Sequence, residues 1–553
     1  MTSKPHDVLI LGAGYTGSLA AAVLARKGYT VALVDRGNHP RFAVGESTTP
    51  EQLYGLDWLG REYDIPELRR LSSYEYIKHD RLPIAVWPKE AFYFLFNPAL
   101  FPGEPAEFMH QTHPWPAGPT YHCLRADLDW HLARTACEYG AEFLPDSEIA
   151  KLELTGEGAA VSLKTPDGPK ELRARLLIDA TGPGCFLAEK LGLREEGRPL
   201  GGLRSWSVYS HFTGVRGLES SYGRDWPRQA IPRDNTTFHH VSPDGWAWVI
   251  PFDNGVTSVG VVFRAGDENE AARDPRGVFD RYVRANPAFS AMLEAAVRVR
   301  DFTYTGPLQW RAKKIAGPGW VVLPPASGFS DPFFSPGNML STTAVARLSL
   351  AVDGVLKDGR GAQEAFAWMQ ARHELESVHV ARVINAHFLA FRDPLLFEQA
   401  QALYWLALAY DRAGSWAPRD GGPALMPPQW AAGDEAFRIL TADFERTLEE
   451  GVSEAAATLA PRLGALLRDA DRFGLLPAAP QRTRLTTLSH ASLLRRLRRE
   501  SGAPEPAGPI RPLESLGHLL KVLTSSPLTP RVPASAGALR MFARHLRIAL
   551  LKT

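Results

Sequence analysis

Near the N-terminus, Gly12-Ala13-Gly14-Tyr15-Thr16-Gly17 separates an apolar run, Asp7 to Leu11, from a long Ala/Leu helix pattern that reaches Lys27. A second apolar run, Thr30 to Val34, follows. Strand, glycine turn, helix and strand in this order make a βαβ unit, which commits this part of the chain to a parallel sheet crossed by a helix. The three glycines have separate duties. Gly12 permits a tight turn, Gly14 lets backbone approach a pyrophosphate, and Gly17 packs helix on strand. The helix N-terminus offers N–H donors and a positive dipole end to phosphates. Asp35 ends the second strand, placed to hydrogen-bond a ribose hydroxyl. The expected ligand is a dinucleotide held through Gly12, Gly14, Gly17 and Asp35.

Two further segments favour FAD over NAD. His39-Pro40-Arg41-Phe42-Ala43-Val44-Gly45-Glu46-Ser47 is a loop with a cation and small residues, suited to lie beside a flavin chain. Leu176-Leu177-Ile178-Asp179-Ala180-Thr181-Gly182 reads as a buried strand ending in a small-residue turn, a second flavin-contact strand. The fold class expected is α/β, a glutathione-reductase-like FAD-binding (Rossmann-type) fold. The cofactor set adds Arg41, Gly45, Glu46 and Ser47 from the loop, Arg125 at the start of a helix pattern, and Asp331 and Gly337 further on.

Along the rest of the chain, the stretch to about Leu71 reads helical and Ile84 to Phe96 has aromatic, strand-like character. Leu124 to Tyr139 is a helix pattern, while Glu148 to Leu163 and Leu172 to Ile178 read as strands. Alternating runs from Trp206 to Phe263 predict an antiparallel sheet that forms a substrate subdomain. Met339 to Leu356 returns to a helix. Beyond Arg392 the strand patterns cease, and helices joined by Pro/Gly loops such as Ala417 to Gln429 follow. The organisation expected is an FAD-binding and substrate domain over 1–395 and a helical C-terminal domain over 396–553. Its tail, from Gln481, is basic, with Arg495-Arg496-Leu497-Arg498-Arg499 and a final helix pattern from Met541 to Leu551. The tail reads as a solvated helix face packing back on the core, with a membrane-surface or partner contact as the alternative.

Charge is balanced, with 62 Lys and Arg against 61 Asp and Glu, so no excess singles out nucleic acid as a partner. Cys123, Cys137 and Cys185 have no paired spacing, which makes neither a disulfide framework nor a metal knuckle and points to a reducing cytoplasm. The start of the chain runs into a strand rather than an apolar signal core, and no long uninterrupted apolar run predicts a spanning helix. No membrane contact and no metal are expected. His110 and His113 are read as lying in a Pro-rich loop with a structural role. Nucleophile-elbow, zinc and P-loop motifs are missing from the sequence.

Four segments together carry a resemblance: the glycine turn, Pro40-Arg41-Phe42 through Gly45-Glu46-Ser47, Gly245-Trp246-Ala247-Trp248-Val249-Ile250-Pro251, and Gly328-Phe329-Ser330-Asp331-Pro332-Phe333-Phe334-Ser335-Pro336-Gly337. On these the chain resembles the flavin-dependent halogenase family, in particular its phenol- and polyketide-acting, tetracycline-halogenase-like branch, over roughly residues 5–390. The resemblance implies that reduced FAD (FADH2), supplied by a partner flavin reductase, reacts with O2 to a C4a-hydroperoxide. Chloride or bromide then gives hypohalous acid, which travels through an internal tunnel to a lysine beside an aromatic small-molecule substrate, free or tethered to a carrier protein. In the family that lysine precedes an aromatic strand, as Lys89 does in Lys89-Glu90-Ala91-Phe92-Tyr93-Phe94. Lys78 is nearer the Gly45–Ser47 motif but lacks the following strand. The chemistry asks for such a residue independently, because hypohalous acid is indiscriminate and a donor must aim it at one ring carbon; a desolvated lysine can also react as amine.

The chain departs from the family pattern at two points. Leu323-Pro324-Pro325-Ala326-Ser327 stands where most of these flavoproteins have a Gly-Asp pair that holds the ribityl chain, a pair the tetracycline-type branch also lacks. The family's halide rests on two backbone N–H groups that correspond to Pro336 and Gly337, beside Ser335, and proline has no N–H. One lost hydrogen bond to an anion costs about 1.5–3 kcal/mol. Phe334 replaces a glutamate of the tryptophan-acting members, so the substrate is expected to be activated already, as a phenol is. The expected function is FADH2-dependent halogenation of a phenolic or polyketide-like compound in secondary metabolism, such as antibiotic biosynthesis. A flavin monooxygenase without halide use, and a flavin-holding accessory protein, are the alternatives.

Overall fold

The structure of the chain, a computed structural model, describes residues 5–471 except 102–105, 112–118, 157, 197–201, 222–230, 265, 267, 359–361 and 417–427, together with 476 and 485–486. Its first half comprises β1 (His6–Leu11), α1 (Tyr15–Arg26), β2 (Val31–Val34), α2 (Pro50–Glu62), β3 (Val86–Lys89), β4 (Ala91–Phe96), β5 (Glu107–Gln111), β6 (Thr120–Cys123), α3 (Arg125–Glu138), β7 (Glu142–Leu144), β8 (Glu148–Thr155), β9 (Gly158–Thr165) and β10 (Gly168–Asp179). The second half supplies β11 (Ser205–Thr213), β12 (Thr236–Ser242), β13 (Gly245–Pro251), β14 (Val256–Arg264), β15 (Trp320–Val322), α4 (Pro336–Asp353), α5 (Ala362–Ala390), α6 (Pro394–Trp416), α7 (Glu435–Glu450), α8 (Ala456–Ala470) and β16 (Leu485–Thr486). Short helices and bridges connect them.

The first sheet is parallel at its centre, in the order β15-β10-β1-β2-β7. Leu11 lies opposite both Val34 and Asp179, so the ends of β1, β2 and β10 gather at one edge. Val8 to Leu11 are buried on both faces, as a central parallel strand requires. Helix α1 carries no charge before Arg26 and is buried all round, between the sheet and helices α3 and α4. β8 and β9 extend this sheet antiparallel to β10. The second sheet runs β11-β14-β13-β12-β4-β5-β16, antiparallel except where β4 and β16 each join in parallel. The α/β fold with an antiparallel subdomain is as the sequence leads one to expect.

Four expectations are corrected. His110 lies in strand β5, not in a loop, and its ring stacks on Trp405 at 4.1 Å. Strands do not end at Arg392, since Leu485–Thr486 pairs with β5. Helix α4 begins at Pro336, three residues ahead of the apolar pattern, because proline suits a first helical turn whose N–H groups have no intrahelical acceptor. The 395/396 boundary falls inside the first turn of α6, and one apolar cluster crosses it, joining Phe92, Phe94 and Phe96 of β4 to α5, α6, α7 and α8. Pro336–Lys357 is, by length and composition, long enough to cross a membrane, but it packs among α1, α2 and α5. The three cysteines are free. His113 and the basic tail, apart from Leu485–Thr486, lie outside the described residues.

Candidate functional site

The glycine turn is built as its spacing requires. Gly12 has φ +96°, and a Cβ there would lie 2.5 Å from the Ala180 carbonyl oxygen at the end of β10. A Cβ on Gly17 would stand 1.8 Å from the Gly12 carbonyl oxygen, so only glycine lets α1 seat against the turn. A Cβ on Gly14 would point toward the Arg41 guanidinium, 3.5 Å away. No acidic residue stands in the first turn of α1. A helix N-terminus without acid, beside an arginine, fits a pyrophosphate. Asp35 accepts from Ala13 N at 2.7 Å, Gly37 N at 2.9 Å and Arg41 Nη2 at 2.8 Å, which closes the end of β2 over the turn. The Leu323–Ser327 segment has its own task here: the Pro324 carbonyl accepts from Thr16 Oγ1 at 2.8 Å and Ser341 Oγ at 3.1 Å, tying α1 to α4.

The loop from Phe42 to Ser47 is pinned from three sides. Gly45 has φ +97°, with Arg125 Nη1 2.9 Å from where a Cβ would sit. Arg125 pairs with Asp129 through two hydrogen bonds and donates to the Val44 carbonyl at 2.7 Å, while Asn338 Nδ2 donates to the Gly45 carbonyl at 2.7 Å. Arg125, expected at the cofactor, here fixes the backbone of this loop. Glu46 is buried and its carboxylate accepts from His211 Nε2 at 3.0 Å. Phe42 covers this pair, with its ring 5.2 Å from His211 and the Arg300 guanidinium 3.1 Å from its own centroid.

Lys89 ends β3 and is 0 % exposed. Its Nζ donates to Ser47 Oγ at 3.0 Å and to the Thr48 carbonyl at 2.7 Å, and lies 3.6 Å from the Phe92 ring centroid. Burial pushes its ammonium well below the usual lysine range, with Glu51 pulling the other way. Ser47 Oγ continues to Thr237 Oγ1 at 2.9 Å, which meets His122 Nε2 at 2.9 Å. Lys78, by contrast, is an exposed residue whose Nζ pairs with Asp253 at 2.7 Å.

The Asp331–Gly337 segment is a tight turn. Asp331 is buried, accepting from Ser205 Oγ at 2.6 Å and Phe333 N at 3.0 Å, and burial pushes its carboxyl up to about 7. Its oxygens are held inside the fold, so Asp331 shapes the turn that carries the next residues. Phe334 and Ser335 both have positive φ, +63° and +58°, and Ser335 caps α4 ahead of Pro336 and Gly337. Trp246 of the tryptophan strand packs on Phe333 at 5.2 Å, which makes that motif a support for the turn. Phe334 stacks on Tyr404 at 3.9 Å and stands 5.5 Å from Phe92, so strand β4, which follows Lys89, the turn and α6 meet in one aromatic cluster. His211, Thr237, His122, Arg300 and Asn338 were not legible as site residues. Their partners lie far away in the chain, and no local spacing marks them.

The chain matches the family model described as tryptophan halogenase over residues 109–402, and the model of the NAD(P)-binding Rossmann-like domain over residues 10–63. It is 30% identical over 400 residues to the tetracycline 7-halogenase of Kitasatospora aureofaciens, a match covering 70% of each chain. It is 29% identical over 412 residues to the monodechloroaminopyrrolnitrin halogenase of Pseudomonas fluorescens, covering 73% of this chain and 71% of that one. Among solved structures, halogenase PltM in complex with phloroglucinol and FAD matches with a TM-score of 0.76 at 25% identity, covering 87% of this chain and 99% of that chain. Halogenase CmlS shares the fold, with a TM-score of 0.56 at 19% identity, over 86% of this chain and 79% of that one. With the glycine cradle at the edge of a parallel sheet and these matches along its length, the chain belongs to the flavin-dependent halogenase family and is an FAD-binding enzyme.

Proposed function

We propose that the enzyme halogenates an electron-rich phenolic or polyketide-like aromatic, with Lys89 as the catalytic residue. The observation that carries this reading is the burial of Lys89, held by Ser47 and Thr48 against the aromatic cluster of Phe92, Phe334 and Tyr404. The relatives agree in kind: their names give tetracycline, monodechloroaminopyrrolnitrin, sulochrin and carrier-bound pyrrole-2-carbonyl as substrates. Bound reduced FAD, replenished by a partner reductase, supplies with O2 the oxidant that turns chloride or bromide into hypohalous acid.

The chain's own residues then do the rest. Gly12, Gly14, Gly17 and Arg41 hold the pyrophosphate, with Asp35 closing the strand end, and the Gly45–Ser47 loop lines the flavin chain. The N-terminus of α4, through Gly337 and the residue after it, offers the halide its N–H groups and dipole end. Pro336 contributes no donor. Lys89 receives hypohalous acid as a hydrogen-bond donor, or as an amine that takes the halogen. Its closed surroundings exclude water, so the oxidant meets only the substrate ring. Phe334 leaves no carboxylate to remove a ring proton, which suits a ring already activated by a hydroxyl group. The three free cysteines fit a reducing cytoplasm.

The test is incubation of the full chain with FAD, a flavin reductase, O2, chloride or bromide, and a panel of phenols. Products carrying the halogen isotope pattern are expected from the wild type and none from Lys89→Met. A product that gains oxygen, at a rate indifferent to halide, establishes instead the monooxygenase reading that the missing Pro336 N–H favours.

A further inference from the structure

Two polar rings, one on α5 and one in the turn Gln429–Ala431, pack against the aromatic cluster. Trp430 is 1 % exposed and packs on Tyr404 at 5.0 Å and Phe334 at 6.2 Å, yet its Nε1–H has no hydrogen-bond partner among the described residues. His387, fully buried, stands 4.8 Å from Phe334 and 6.4 Å from Tyr404. Its Nδ1–H donates to the Val383 carbonyl at 2.7 Å, which leaves Nε2 as the lone-pair nitrogen, also without a partner. Burial pushes this imidazole down to about 3, so the ring stays neutral and Nε2 stays an acceptor. An orphan donor and an orphan acceptor therefore flank the same Phe334–Tyr404 stack. Gln401, one turn ahead of Tyr404 on α6, adds a buried amide with neither end partnered among the described residues.

Native folds leave few buried polar atoms unpaired, and those that remain call for a reason. Trp430 is also held against its own preference. It has φ +56°, its N–H donates to Asp411, and its carbonyl accepts from His379 Nε2 at 2.7 Å. The preceding N–H, of Gln429, donates to Glu376 at 2.9 Å. Backbone strain held by several partners is a mark of functional positions.

We infer that His387 Nε2 and Trp430 Nε1 form a polar clamp that selects substrates bearing free ring hydroxyls. One hydroxyl donates its O–H to His387, and a hydroxyl oxygen accepts from the Trp430 indole N–H. An O–H donating to a neutral imidazole releases electron density into its ring, which raises the nucleophilicity of the carbons ortho and para to it. The clamp rests on the reading above that this cluster receives an aromatic substrate, and it adds which substrates are taken and by which residues.

The experiment measures binding of resorcinol, phloroglucinol and 1-naphthol, and of their O-methyl ethers, to the full FAD-loaded chain by calorimetry. An ether oxygen can accept but cannot donate, so the wild type should bind at least one of the free phenols about tenfold or more tighter than its ether. His387→Phe should bring that ratio near one, and His387→Gln, whose amide oxygen accepts, should restore part of it. Trp430→Phe should weaken phenol and ether alike, because both lose the donor. Melting curves establish that each variant is folded. The clamp is overturned if the wild type prefers no phenol to its ether, or if His387→Gln is as indifferent as His387→Phe. It is overturned in part, at Trp430, if Trp430→Phe changes neither affinity. Halogenated product without a phenol preference refutes the clamp and leaves the proposed reaction standing. A phenol preference without any halogenated product refutes the reaction and leaves the clamp.

Discussion

At the scale of single residues, burial separates two lysines that sequence distance alone leaves in competition. Lys89 has no solvent contact and three close neighbours, while Lys78 shares an exposed ion pair with Asp253. Lys89→Met replaces a desolvated amine by an apolar chain of similar length. The variant is expected to melt at or above the wild-type temperature while making no halogenated product, as calorimetry and mass spectrometry can check. Lys78→Ala should change stability by less than about 1 kcal/mol and leave product formation intact. Gly17→Ala forces a methyl carbon onto the Gly12 carbonyl. It should cost about 3 kcal/mol or more and yield protein without bound flavin, seen as loss of the flavin's visible absorbance.

At the scale of elements, the turn Gln429–Ala431 is held by buried side chains beside the aromatic cluster. Asp411 accepts from the N–H groups of both Trp430 and Ala431, two residues with positive φ. Asp411→Ala removes both acceptors at once. It should destabilise the chain by about 2–4 kcal/mol, and the near-ultraviolet dichroism of the tryptophans should weaken before far-ultraviolet dichroism does. None of this was legible in the sequence, because the loop's partners are side chains on α5 and α6 that only packing brings near. The βαβ unit was legible, since one local pattern, strand then glycine turn then helix, carries its whole geometry. The place of Lys89 ahead of an aromatic strand was legible through the family resemblance, with Ala91–Phe96 as the apolar run that follows it. Asp331 was legible only through the family motif, and its hydrogen bonds to Ser205 Oγ and the Phe333 N–H could not be read from local spacing.

At the scale of the whole molecule, buried imidazoles set the response to acid. Burial pushes His239, His240 and His387 down to about 3 and His379 to about 4. Below pH 6.5 the unfolded chain protonates these rings and the folded one does not, so stability is lost as pH falls toward 4. Asp331 and Glu445, both pushed up to about 7 by burial, act in the opposite sense, since the folded chain holds their protons where the unfolded chain has released them. Burial also pushes down His39, His122, His131 and His373 and pushes up Asp127, Asp179, Asp234, Glu398 and Asp411, so the carboxyls offset part of what the imidazoles do. With the imidazoles ahead near their unfolded pKa, urea midpoints should fall as pH drops from about 6.5 to about 4.5. His387→Phe should flatten that slope, because it removes one titrating ring.

The cluster that runs from β4 into α5, α6, α7 and α8 has a consequence for anyone recombining relatives of this enzyme. A chimaera made by exchanging everything after residue 395 severs Phe94 and Phe96 from the Phe397 they touch at 5.2 and 5.1 Å. The transferable cassette is two pieces of chain, the aromatic strand and the helices that close on it, and grafts that carry both should fold where grafts of the helices alone aggregate.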